Sequence, residues 1–323
     1  MLALIRNETM KVIRRKRFAI VIAILVSILS VVTYAQYRQL KNRPERNWRA
    51  DLQQRIAGGQ NFLRRSVKSP WTASVRAEIN RLQFYLDHDI EPNKPTAPIF
   101  VRGFANVAGI LLLPLLVAVL GSDIVSAEHA EGTDKLLLTR PVRRWKVLAS
   151  KLITLWMFAT LTLLCGGVLA YLVSAPFLNP HGWTAPMLNG FATNATAEFR
   201  PDSIRELPLW RDTLIVYGLD WYAMLAVASI ALLLSVLFRS SAAAIGTMLA
   251  SLITGTILTR FSPDWTSAKY LFVSGLPLAD YYTGEPPPYE GMTMTFCLVL
   301  LAVWAAGAIA TAFVIFTRRD VFG

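Results

Sequence analysis

Of the 323 residues, 54% are hydrophobic and only 17% charged, and the mean hydropathy is +0.42. The apolar residues fall in long uncharged blocks, which excludes an ordinary soluble domain, where they would recur in short periodic stripes. The net charge of +12 lies between those blocks, so it speaks to membrane topology and not to nucleic acid.

In chain order, residues 1–17 read MLALIRNETMKVIRRKR. At 100° per residue, Leu2, Ile5, Thr9, Val12 and Ile13 share one arc, with Asn7, Glu8, Lys11, Arg14 and Arg15 opposite. This predicts an amphipathic elbow helix lying in the membrane interface, its bases against lipid headgroups. Block 18–36 carries no charge, and no small-residue cleavage site follows it, so it reads as a span and not a signal peptide. Residues 37–102 are then expected to form a helical extracytoplasmic segment. Trp48, Leu52 and Ile56 lie one turn apart ahead of a break at Gly58-Gly59. Ser69 suits an N-cap with Pro70 at the first helical position, and Val75, Ile79, Leu82 and Leu86 mark a second helical stripe. Asp87, His88, Asp89 and Glu91 read as a solvated helix end rather than a metal site.

Further blocks at 103–121, 152–173, 213–238, 240–259 and 292–317 bring the expected spans to six. Asp220 is the one charge inside them. An intramembrane acid is costly and marks a functional site by default; close to the end of its helix, it also reads as a residue reaching water. Asp220 and its neighbour Trp221 are the candidate substrate pathway. Loops 174–212 and 260–291 are rich in proline, glycine and aromatics. Pro286, Pro287 and Pro288 stop any helix, so the second loop is ordered coil or re-entrant. Trp265, Tyr270, Tyr281, Tyr282 and Tyr289 suit an interfacial aromatic belt. Cys165 and Cys297 sit in apolar blocks and define neither a disulfide framework nor a metal site.

Six spans put both termini on one side. That side, comprising 1–17, the loop 122–151, Arg239 and the tail 318–323, holds fifteen bases, against five in the two short opposite loops. Segment 37–102 holds thirteen more but is left out of the comparison, because loops beyond about 60 residues translocate largely regardless of charge. Both termini are therefore read as cytoplasmic.

The chemistry is sparse. No glycine-rich phosphate loop is followed by Lys and Ser or Thr, so no nucleotide site is expected in this chain. The run EHAEG at 128–132 is not HExxH, and no GxSxG elbow occurs. Catalytic and metal-binding residues are expected to be absent, so the chain is not read as an enzyme.

The charged loop 122–151 is the informative part. Thr133 suits an N-cap with Asp134 in the first turn, and Leu136, Leu137 and Leu138 give that short helix an apolar face with no membrane to enter. The chain should turn at Arg140-Pro141, and VRRWKVLASK then leads into the third span. From physics alone this is either a helix that docks in a groove of another protein or a membrane-surface helix.

The order Glu128 or Glu131, Gly132-Thr133, Leu136 to Leu138, Pro141, Arg144 and Lys151 resembles the signature of type-2 ATP-binding cassette (ABC) permeases. The elbow helix, six spans and internal termini resemble that family over essentially the whole chain, although the outer segment 37–101 is larger than in many members. The resemblance implies the transmembrane subunit of an exporter of drugs, antimicrobial peptides, lipids or glycans. It implies a bacterial plasma membrane, a second permease copy or paralogue, and surrounding lipid. Two copies of a cytosolic ATPase, holding ATP and Mg, would dock on the loop through Glu128, Glu131, Gly132, Thr133, Leu136, Leu137, Arg140, Pro141 and Arg144. The rival readings are a stand-alone secondary transporter or channel, a membrane-embedded enzyme, or an ABC-like sensing subunit that uses 37–101 as its receptor.

Overall fold

The structure, a computed structural model, describes residues 1–42, 47–65, 72–89, 95–130, 143–189, 205–261, 265–289 and 291–318. The fold is almost entirely helical. Five helices are long and apolar enough to cross a membrane, and a bent pair of shorter helices passes the same test when its halves are taken together.

Helix α1 (Leu2–Arg14) meets α2 (Arg17–Lys41) at a two-residue corner where Lys16 takes a left-handed φ of 55°. The face of α1 turned into the protein is centred on Glu8, its only buried residue, with Lys11 and Val12 half-buried beside it, whereas Leu2 and Ile13 are well exposed. Helices α3 (Trp48–Arg65) and α4 (Thr72–Asp87) form an antiparallel hairpin around Leu52, Ile56 and Leu82. The expected break at Gly58-Gly59 does not occur, and α3 runs straight through. Glycine costs a helix about 1 kcal/mol, and here it allows close approach: a Cβ on Gly59 would sit 2.9 Å from Ile79 Cγ1. Ser69 and Pro70 lie outside the described residues.

The second apolar block is not one straight helix. It is α5 (Ala97–Ala108) and α6 (Leu112–Gly121), bent by 60°. Thr96 caps α5 by accepting a hydrogen bond from the Ile99 amide. The break at 109–111 has a cause four residues on. Pro114 has no N–H for the Ile110 carbonyl, and its ring would clash with that carbonyl in a continuous helix. A short helix α7 (Ser126–Ala130) follows.

Helices α8 (Arg144–Ser174), α9 (Leu209–Leu237), α10 (Ser241–Phe261) and α12 (Met294–Arg318) are, with α2, the ones long and apolar enough to cross a membrane. The centre is α9: 72% of its apolar window is buried, against 22% for α2, α10 and α12. Its small residues Ala223, Ala226, Ala228, Ser229 and Ala231 let α5, α6, α8, α10 and α12 pack close around it.

The loop expected at 174–212 contains a pair of antiparallel strands, β1 (Pro186–Asn189) and β2 (Arg205–Pro208), in register Pro186 to Pro208. Between α10 and α12 two short 3-10 turns, Thr266–Tyr270 and Phe272–Gly275, and helix α11 (Leu278–Thr283) fold back onto the bundle, burying Ala268, Leu276 and Leu278. Trp265 and Tyr270 are exposed as a belt requires, but Tyr289 is buried.

Candidate functional site

Two polar clusters stand out, one at each end of the bundle. The first joins α1, α7 and the start of α8. Lys151, two turns into α8, is fully buried, and its ammonium lies 2.8 Å from Glu8 Oε2, 2.7 Å from Glu128 Oε1 and 3.1 Å from the Ile124 carbonyl. Its three donors therefore have three acceptors. Lys11 reaches Glu8 Oε1 at 2.8 Å and the same Glu128 oxygen at 2.7 Å. The result is a closed square of two lysines and two glutamates with no net charge. Burial acts to lower the Lys11 pKa, but its hydrogen bonds to Glu128 and Glu8 and their charges outweigh it, leaving the pKa raised. Beside the square, Arg17 at the start of α2 pairs with buried Asp123.

The square places the sequence-derived residues unevenly. It brings together Glu128 and Lys151, the first acid and last base of the loop signature. Arg144 opens α8 and reaches the Thr317 carbonyl at 3.4 Å. Glu131, Gly132, Thr133, Leu136, Leu137, Arg140 and Pro141 lie outside the described residues. Lys11 is among the bases expected against the headgroups, and Glu8 is placed by its sequence position only on the same polar face. The local sequence holds no signal for the square, because Lys11 three residues on already offers Glu8 a partner on the same helix.

The second cluster lies at the opposite end. Asp212 is fully buried at the start of α9, takes a hydrogen bond from Arg102 Nε at 2.9 Å, and takes another from the Asn189 amide on β1. One α5 turn deeper, Asn106 Nδ2 donates to Asp280 Oδ1 at 3.1 Å. A cavity of about 400 Å³ lies between the α3–α4 hairpin and the bundle, lined by Arg55, Glu78, Arg81, Arg102, Asn106 and Glu285 among others. Glu285 has a raised pKa, chiefly through burial, with Arg81 opposing and Asp280 and Glu78 adding to the rise.

Asp220 sits below this network and is only 2% exposed, so it does not reach water as an interface residue would. Its carboxylate fills the space left by the missing side chain of Gly109, at the break between α5 and α6. Trp221 is on another side of α9, 42% exposed, with its indole N–H donating to Thr160 at 2.8 Å. The two residues named for one pathway therefore do not converge.

Long apolar helices stacked around one buried helix, with acidic and basic side chains other than Asp220 gathered at the two ends, mark a multi-pass membrane protein. The chain belongs to the family described as "Protein of unknown function (DUF2705)", whose model matches residues 76–322. It is 31% identical to "Uncharacterized protein YhcI" of Bacillus subtilis over 99% of both chains. It is also 32% identical to "Uncharacterized membrane protein YdbK" of the same organism, over 65% of this chain and 78% of that one.

Proposed function

We propose that this protein is the permease subunit of an ABC exporter in a bacterial plasma membrane. In this reading α5 and α6 together make one broken span, which brings the count to six, and α1 is the elbow helix. Both termini and the loop at 129–143 face the cytoplasm. Two such subunits, identical or paralogous, form the transmembrane unit, and a cytosolic ATPase docks on the loop of each. The substrate class is a drug, antimicrobial peptide or lipid-like molecule.

The observation that carries this reading is the Glu8–Lys11–Glu128–Lys151 square. A docking loop transmits force only if its ends are fixed to the elements that must move. Glu128 fixes the entry of the loop and Lys151 its exit, and both are tied to α1. Truncating one partner of such a buried pair typically costs about 3–5 kcal/mol, so the loop ends, α1 and α8 should move as one body. ATP-driven closure of the ATPase pair would then shift that body against α9. The coupling depends on the square being intact in both states while the packing on α9 differs between them.

The test is to replace Gly132 and Thr133 with bulky bases (Gly132→Arg with Thr133→Arg). Export of the pair's substrate should be lost while ATP hydrolysis persists and the melting temperature of the subunit is unchanged. Wild-type export from this variant contradicts the reading. The sensing alternative is favoured by one feature, the 400 Å³ cavity under the α3–α4 hairpin, which is where an extracytoplasmic ligand would be held.

A further inference from the structure

We propose that Asp220 is a proton-binding site at the break in the second span, reached from the hairpin end of the molecule through the polar cavity. The inference does not depend on the permease reading, because it concerns one carboxyl group and applies equally to a channel or secondary transporter.

The argument begins with what surrounds the group. Asp220 is 2% exposed and its Oδ2 has no hydrogen-bond partner. Among the described residues, the charged groups within electrostatic reach are Asp280 on α11 and Arg102 on α5. Arg102 is committed to Asp212 and Asn189, and Asp280 carries the same charge as Asp220. Tyr217, one turn away, gives its hydroxyl proton to the Val101 carbonyl at 3.3 Å. An ionised carboxylate buried without donor or counter-ion is among the costliest arrangements in a protein, and such a group takes up a proton instead.

The break supplies a use for that proton. Carbonyls at the C-terminal end of α5 lose their helical partners there, Ile110 by the lack of an N–H on Pro114 and the others by the 60° bend. The negative end of the α5 dipole also points at the break. A neutral carboxyl can donate its O–H to one of these carbonyls, whereas a carboxylate would be repelled by them. Discontinuous spans commonly place coupling-ion sites at such ends. A divalent metal is disfavoured, since no three His, Cys, Asp or Glu side chains cluster among the described residues.

Asn106 lines the cavity, donates to Asp280, and has a buried Oδ1 with no partner. Asp280 in turn lies within electrostatic reach of Asp220, so Asn106 and Asp280 mark the side of the break that faces the cavity. Straightening or closing the break would move the carbonyls away from Asp220 and release the proton on that side.

The test labels the full-length protein in membranes with a hydrophobic carbodiimide, which adds to a protonated buried carboxyl and leaves a stable N-acylurea, located by peptide mass. Asp220 should be modified at pH 7. Above its own titration point the labelling should fall about tenfold per pH unit. Asp212, equally buried but paired with Arg102, should remain unmodified. Infrared spectra give an independent reading that needs no reagent access: a protonated-carboxyl stretching band should be present and lost in Asp220→Asn, but retained in Asp280→Asn. Equal labelling of Asp212 and Asp220, or a band unaffected by Asp220→Asn, overturns the proposal. Labelling suppressed by sodium at constant pH also overturns it, by showing a metal cation in place of the proton.

Discussion

Lys151→Met is expected to be among the most damaging single substitutions in the protein. Methionine nearly matches lysine in length, so packing survives while the ammonium is lost. Glu8 and Glu128 are then left as two buried carboxylates sharing the charge of Lys11. The cost of an uncompensated buried charge is about 3–5 kcal/mol, which corresponds to a melting temperature in detergent lower by roughly 10 °C. Adding Glu128→Gln to Lys151→Met removes the surplus charge and should recover part of the loss, with a coupling of about 0.5–3 kcal/mol in a double-mutant cycle. Strictly additive effects would mean that the square contributes no pairwise energy. In otherwise wild-type protein, Glu8→Gln should also make α1 more susceptible to protease, because Glu8 is the only buried residue of that helix.

Gly109→Ala is the second large effect expected. Its Cβ would overlap the Asp220 carboxylate, and neither side can yield easily, because α5 and α9 are packed against each other there. Overpacking of this kind costs about 1–3 kcal/mol. The diagnostic is the rescue: Asp220→Ala in the Gly109→Ala background should restore most of the lost thermal stability by removing the obstructing group. Gly218→Ala, where a Cβ meets nothing within 4 Å, should be close to neutral. If Gly109→Ala proves as mild as Gly218→Ala, the carboxylate does not occupy the break.

These two sites show where the sequence was legible and where it was not. The long apolar helices were legible because hydropathy is a local property, and a block such as 152–173 has few other ways to satisfy its backbone in lipid. The break between α5 and α6 was present in the sequence, in the proline of GILLLPLLV. A composition window averages that single missing N–H away. At Gly58-Gly59 the error ran the opposite way. Two glycines weaken a helix locally, but contact of Gly59 with Ile79 on the facing helix decides the outcome, and that contact depends on the hairpin having formed. The strand pair β1–β2 was illegible for a similar reason, since its register joins segments sixteen residues apart across an intervening stretch.

The sites divide along the same line. Glu128 and Lys151 were picked out by their spacing within one loop. Their partners Glu8 and Lys11 lie 117 to 143 residues away in sequence, and nothing local distinguishes a base bound for a headgroup from one bound for a buried glutamate. Asp220 was conspicuous as the one charge in a span, yet its proximity to the helix end suggested water. Only the packing of α5 across α9 shows that water is excluded. Trp221 followed Asp220 by adjacency, but neighbours on a helix point about 100° apart, and the structure separates them.

The permease reading is tested most directly by purifying the tagged chain from its native membrane in mild detergent and weighing the intact complex. The account predicts two permease chains with two copies of an ATP-binding subunit. It further predicts that the ATPase is lost, and the permease pair retained, when Leu136 and Leu137 are both replaced by Asp. A chain that purifies without an ATP-binding partner, and that yields no such partner when crosslinked in cells beforehand, would contradict the account.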